Sequence, residues 1–139
     1  MDFMDVEIEY LIEISESAGE KLLSNHRKDK KVKMKEDKTP VTSVDIETEK
    51  FLREKLGELE PSFSIIAEES QDRITDSKYS WIIDPLDGTS NYVHGIPVFA
   101  TMLALCKNDR PIMSVVHQPV QDETFYAIKG EGAFLGEEK

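Results

Sequence analysis

Asp84 and Asp87 stand three positions apart at the end of the apolar run Trp81-Ile82-Ile83, and Gly88-Thr89-Ser90-Asn91 follows at once. Two carboxylates held at the mouth of a strand suit hard cations, which prefer oxygen ligands. The Gly-Thr-Ser-Asn stretch offers backbone amides and hydroxyls, groups that suit phosphate. Metal and phosphate side by side point to metal-assisted phosphoester chemistry. More acids end or open other elements: Glu68-Glu69 closes the run Phe63 to Ala67, and Asp45 opens a helical stretch. Any one such acid is ordinarily a solvated loop residue or a helix cap. Together they are harder to dismiss, because acids set on regular elements are placed rigidly, as a metal site requires.

Two divalent ions about 4 Å apart can activate a water and stabilise a leaving oxygen in one in-line displacement. Asp84 and Asp87 have the spacing to bridge such ions. The Leu86 carbonyl between them adds an oxygen where Pro85 bends the chain, and Glu68 completes the first position. No histidine adjoins Thr89 to deprotonate it as a nucleophile. Thr89 is therefore expected to orient the attacking water, with Asp45 accepting a proton. Gly88 would let the backbone approach phosphate without a Cβ in the way.

The elements that must position these residues follow from periodicity. Phe3, Val6, Tyr10, Ile14, Ala18 and Leu22 predict an amphipathic helix over residues 3 to about 23, with Phe3 and Tyr10 as core residues. Residues 26 to 38 read as a charged loop whose cations are mostly solvated; Lys35 or Lys38 could approach the site from it. Thr42 or Ser43 caps a second helix, about Val44 to Leu56, and Gly57 is expected to stop it. A short strand, Phe63 to Ala67, and a polar loop over 71 to 80 precede the motif. After it, Val98 to Leu105, Ile112 to His117 and Thr124 to Ile128 predict a meander of antiparallel strands, and Gly130, Gly132 and Gly136 punctuate the end. Helices first and a hairpin-rich sheet afterwards give an α+β class: two N-terminal helices packed on a largely antiparallel sheet.

At 139 residues the chain fits one domain. A formal charge of -11 argues against nucleic-acid or anionic-membrane partners and requires cations wherever a phosphate ester is to bind. The single cysteine, Cys106, permits no internal disulfide, fits a reducing cytoplasm and reads as a buried thiol. Trp81 reads as a strand-packing residue, His94 as a substrate contact or a helix-surface residue, His117 as a sheet residue and His26 as a loop residue. None of these histidines has metal-ligand spacing.

Asp84-Pro85-Leu86-Asp87-Gly88-Thr89, taken with Ala67-Glu68-Glu69-Ser70 and Pro40-Val41-Thr42-Ser43-Val44-Asp45, resembles the inositol monophosphatase family, which includes bisphosphate nucleotidases and a class of histidinol phosphatases. Gly130-Glu131-Gly132-Ala133-Phe134 is similar to a turn of that family. The resemblance implies that Glu68, Asp84, Asp87 and the Leu86 carbonyl bind Mg²⁺, two or three ions in all. It implies a catalytic set of Thr89, Asp45 and Glu68, a phosphate site at Asp87 and the amides of Gly88, Thr89 and Ser90, and a supporting carboxylate in Glu69. It further implies a small phosphate monoester as substrate, such as inositol monophosphate or histidinol phosphate, and a homodimer. The strands around Gly95 to Leu105 and Val116 to Val120 look closer to histidinol-phosphatase-like members. Family members are about twice as long, and a Trp-Asp motif in their second half supplies another metal ligand. By that measure residues 1–139 correspond to the N-terminal, metal-binding half. Two readings follow: a phosphomonoesterase completed by a partner half, or a catalytically impaired domain that acts as a metal-, phosphate- or protein-binding module.

Overall fold

The computed structural model describes residues 6–26, 32–34 and 40–139. Helix α1 spans Ile8–Asn25, and strands β1 (Val32–Met34) and β2 (Pro40–Thr42) form a small antiparallel pair. Helix α2 spans Ser43–Leu59, β3 Ser64–Ala67 and β4 Tyr79–Asp87. A short helix α3, Thr89–Val93, precedes β5 (Ala100–Lys107), β6 (Arg110–Gln118), β7 (Glu123–Ile128) and β8 (Gly132–Leu135). Strands β3 to β8 make one six-stranded sheet in sequence order, antiparallel throughout except for the parallel β3–β4 pair. Both long helices pack against it through a shared apolar core, so the α+β expectation holds.

Alternation along the strands sends Ile65, Trp81, Ile83, Leu103, Leu105 and Val115 into that core, where Leu11, Ala18, Leu52 and Leu56 meet them. Trp81 is fully buried, as expected of a packing residue. Cys106 is a buried free thiol whose pKa burial pushes upward. The opposite sheet face carries the in-register row Ile66, Ile82, Ala104, Ser114, Ala127 and Ala133, an uncharged band that ends beside Asp84 in the next row.

Several expectations change. Tyr10 is 47% exposed, because strict four-residue spacing winds slowly around a helix. The buried stripe is Ile8, Leu11, Ser15, Ala18, Leu22, a three-four alternation that stays on one side. Phe3 lies outside the described residues. The charged segment contains a strand, β1. Gly57 does not end α2, which runs on to Leu59; Leu59 packs against the core, and Pro61 follows the cap residue Glu60. A fourth meander strand, β8, forms between glycines of positive φ: Gly130 and Gly132 on one side and Gly136 on the other. His26 caps α1 and is buried, its ring 4.9 Å from that of Tyr92 and 4.7 Å from that of Phe99.

Candidate metal and phosphate site

The parallel pairing of β3 with β4 brings the first acids together. Ala67 is in register with Ile83, so the next residue of each strand is an acid, Glu68 and Asp84, emerging at the same sheet end. Asp84 shares a hydrogen bond with Glu68. Burial first, then that bond and the charges of Glu68 and Asp87, push the Asp84 carboxyl up to about 7, against a weaker opposing bond from the Leu86 backbone. Its Oδ1 is buried with no hydrogen-bond partner. An electron-rich oxygen without a donor, beside two further acids, is what a cation would relieve.

Pro85 cannot donate to a ladder, and the β4–β5 register shifts between Asp84 and Asp87. That irregularity re-aims the chain. The Leu86 side chain turns into a second apolar cluster with Leu22, Val44, Tyr92 and Phe99, and its carbonyl oxygen lies 3.1 Å from the Thr89 hydroxyl. Gly88 has φ +85°, and a Cβ there would lie 3.0 Å from the Val98 carbonyl. The turn and the close packing on Val98 and Phe99 thus require glycine, a constraint the phosphate argument did not include. The residues after it form helix α3, tied to α1 by Tyr92, whose hydroxyl donates to the Leu22 carbonyl at 2.7 Å. Burial, and then the charge of Asp45, raise the Tyr92 pKa above its usual value.

Asp45 is both a cap and a candidate catalytic group. Its Oδ1 accepts the Thr42 backbone N–H at 2.9 Å and the Thr42 hydroxyl, and the Thr42 hydroxyl accepts the Asp45 N–H, completing a capping box. That leaves Oδ2 facing Thr89, whose hydroxyl lies 3.1 Å away. With one proton, Thr89 donates either to Asp45 or to Leu86.

The structure thus brings Asp45, Leu86 and Thr89 together, and separately Glu68, Asp84 and Asp87. Glu68 and Asp87 are exposed, and among the described residues no group of three or more His, Cys, Asp or Glu side chains stands ready to enclose a metal. The fit to Mg²⁺ rests on donor chemistry: carboxylates and a carbonyl, with one buried oxygen unsatisfied. Ser90 is exposed, and its carbonyl lies 2.7 Å from His94 Nδ1 at the end of α3. His117 is buried in the sheet and bonds Thr124 at 2.9 Å. Lys35 and Lys38 lie outside the described residues.

Sequence reasoning missed Glu49. Its carboxylate accepts the Glu69 backbone N–H at 2.7 Å and the Ser70 hydroxyl. The available signal was an acid inside the buried stripe Val44, Thr48, Leu52 and Leu56, four residues beyond Asp45.

Comparison with known proteins gives this geometry a context. The chain is 40% identical over 129 residues to the 3′(2′),5′-bisphosphate nucleotidase CysQ of Aggregatibacter actinomycetemcomitans, covering 89% of this chain and 48% of that protein. The crystal structure of the extragenic suppressor protein suhB from Bartonella henselae superposes with a TM-score of 0.92 at 32% identity, over 95% of this chain and 52% of that one. A crystal structure of an IMPase/NADP phosphatase complexed with Mg²⁺ and phosphate matches with a TM-score of 0.77 at 28% identity, over 95% of this chain and 49% of that one. The chain thus spans about half the length of these relatives. The model of the inositol monophosphatase family matches residues 4–139, and the chain belongs to that family.

Proposed function

We propose that residues 1–139 form the metal-binding half of a Mg²⁺-dependent phosphomonoesterase. The observation that carries this reading is the buried, donorless Oδ1 of Asp84 beside Glu68, two residues before the Leu86 carbonyl that meets the Thr89 hydroxyl. Glu68, Asp84, Asp87 and the Leu86 carbonyl would hold the ions. Mg²⁺ supplies charge neutralisation at phosphate and acidifies water when bound. The rest is the work of the chain. Asp45, fixed by its capping box, presents one oxygen to Thr89. Thr89 then offers its lone pairs to orient the attacking water. As the water oxygen bonds to phosphorus and the ester P–O bond breaks, the water proton passes to Thr89 while Thr89 gives its own to Asp45, and the departing alkoxide takes a proton from solvent water to leave as the alcohol. Asp87 and the amides of Gly88, Thr89 and Ser90 hold the phosphate, and Glu69 supports Glu68. The substrate is a small phosphate monoester, such as inositol monophosphate or histidinol phosphate, met in the cytoplasm. The working assembly is a homo-oligomer or a complex with a complementing half that supplies further ligands.

A second reading is a metal- or phosphate-binding module without turnover of its own: Glu68 and Asp87 are exposed rather than gathered into an enclosed site. Calorimetric Mg²⁺ titration combined with phosphate release from a panel of monoesters decides between them. Mg²⁺-dependent release that Asp84→Asn abolishes is the expected result. Release by Asp84→Asn at the wild-type rate would sink the site assignment. Mg²⁺ binding with no release from any ester would leave the module.

A further inference from the structure

Asp45, Glu49 and Arg53 recur every four residues along α2, which puts them on one helix face. Each makes a different tertiary contact. Asp45 meets Thr89 at 3.1 Å. Arg53 donates to the Gln71 carbonyl at 2.6 Å, and its Nε lies 3.7 Å from the Glu49 carboxylate. Glu49, only 2% exposed, takes the Glu69 N–H on one oxygen and the Ser70 hydroxyl on the other. A carboxylate is costly to bury unless bonded and paired. Here both of its oxygens are committed to the single turn that follows β3. The N–H it holds belongs to the peptide joining Glu68 to Glu69, so Glu49 fixes the backbone from which the Glu68 side chain reaches Asp84.

We propose that Glu49 is a positioning residue for the metal. By clamping the 68–69 peptide and Ser70, it holds Glu68 in register with Asp84 and sets the Mg²⁺ affinity. The inference rests on the metal reading above. A capping or packing role alone would leave metal affinity unchanged. Supporting groups behind metal ligands typically alter affinity by about 10- to 100-fold.

The test uses Glu49→Ala, the nearly isosteric Glu49→Gln, and Ser70→Ala at an exposed position where folding is not at stake. Two quantities are read: the Mg²⁺ dissociation constant by calorimetry, and the exchange rate of the Glu69 amide in the metal-free chain by NMR. Glu49→Ala should weaken Mg²⁺ binding about tenfold or more. Glu49→Gln and Ser70→Ala, which each spare one bond, should weaken it severalfold. The Glu69 amide should exchange faster in Glu49→Ala, which removes its acceptor, while those of Leu52 and Leu56 in α2 stay protected. Wild-type Mg²⁺ affinity in Glu49→Ala, or an unchanged Glu69 exchange rate in that variant, overturns the proposal. A wild-type chain that binds no Mg²⁺ brings down the metal reading itself, and Glu49's role with it. That failure is visible before any variant is made. Asp84→Asn separates the two ideas, since it should lose Mg²⁺ while Glu69 exchange stays as in the wild type.

Discussion

Asp84 is placed where its ionised form is disfavoured, and this has a measurable cost in the metal-free chain. Its folded pKa, about 7, lies above the ordinary value of 3.8. A raised carboxyl favours the folded state below the ordinary value and loses that contribution as pH rises through the folded one. Asp84→Asn carries no such penalty and can still donate to Glu68. Without Mg²⁺ at pH 8 it should be more stable than wild type by roughly 1–2 kcal/mol, after discounting for solvent around a half-buried group. Urea unfolding should show that gap narrowing as pH falls toward 4. Asp45→Asn separates two roles of one side chain. Its amide oxygen can keep the Thr42 bonds, while its nitrogen turns a donor toward Thr89. Melting should change by less than about 1 kcal/mol, whereas phosphate release by the active assembly should fall roughly 10²- to 10⁴-fold. The spacing of Asp84 and Asp87 was legible because a strand and its end can be read locally. Glu49 was not, since its partners, Glu69 and Ser70, lie about twenty residues away and no local pattern links them.

At the scale of elements, the sequence carried the second helix, the β3 strand and the hairpin strands, where alternation and turn residues are strong. In and just before α1 it placed Val6, Ala18 and Leu22 on the buried face and Ile14 against the core, and of the described residues it named there Tyr10 alone turns outward. It hid β1 because lysines mask so short a strand, and β8 because glycines that look like punctuation are what its flanking turns need. Gly57 was read as a stop, although helical glycine is merely unfavourable by about 1 kcal/mol. Two helix glycines turn this into a prediction with opposite signs. A Cβ on Gly57 would meet only the tip of Arg73 at 3.9 Å, so Gly57→Ala should stabilise by roughly 0.5–1 kcal/mol. A Cβ on Gly19 would lie 2.5 Å from the His117 ring, where α1 crosses β6. Gly19→Ala should therefore destabilise by about 1–3 kcal/mol despite its better helix propensity. Thermal melts of the two variants side by side check both signs.

At the scale of the molecule, the fold separates a scaffold from a working edge. Strands β5 to β8 extend the sheet away from the acids, while α2, the end of β3, and β4 with α3 surround them. No helix among the described residues is long and apolar enough to cross a membrane. The one parallel pair in the sheet also fixes when the acids can meet. Parallel strands need a crossover, and here it is the segment 68–78, which begins with Glu68 itself and is pinned back by Arg73 through two 2.8 Å backbone bonds to Ile65. Glu68 and Asp84 become neighbours only once that crossover closes. If closure is late, the folding transition state holds no metal site. Mg²⁺ should then leave the refolding rate nearly unchanged and slow unfolding in proportion to the stability it adds. Stopped-flow measurements with and without Mg²⁺, at matched ionic strength, would show the ion as a brake on unfolding, whereas a faster refolding limb would mean that the acids gather early.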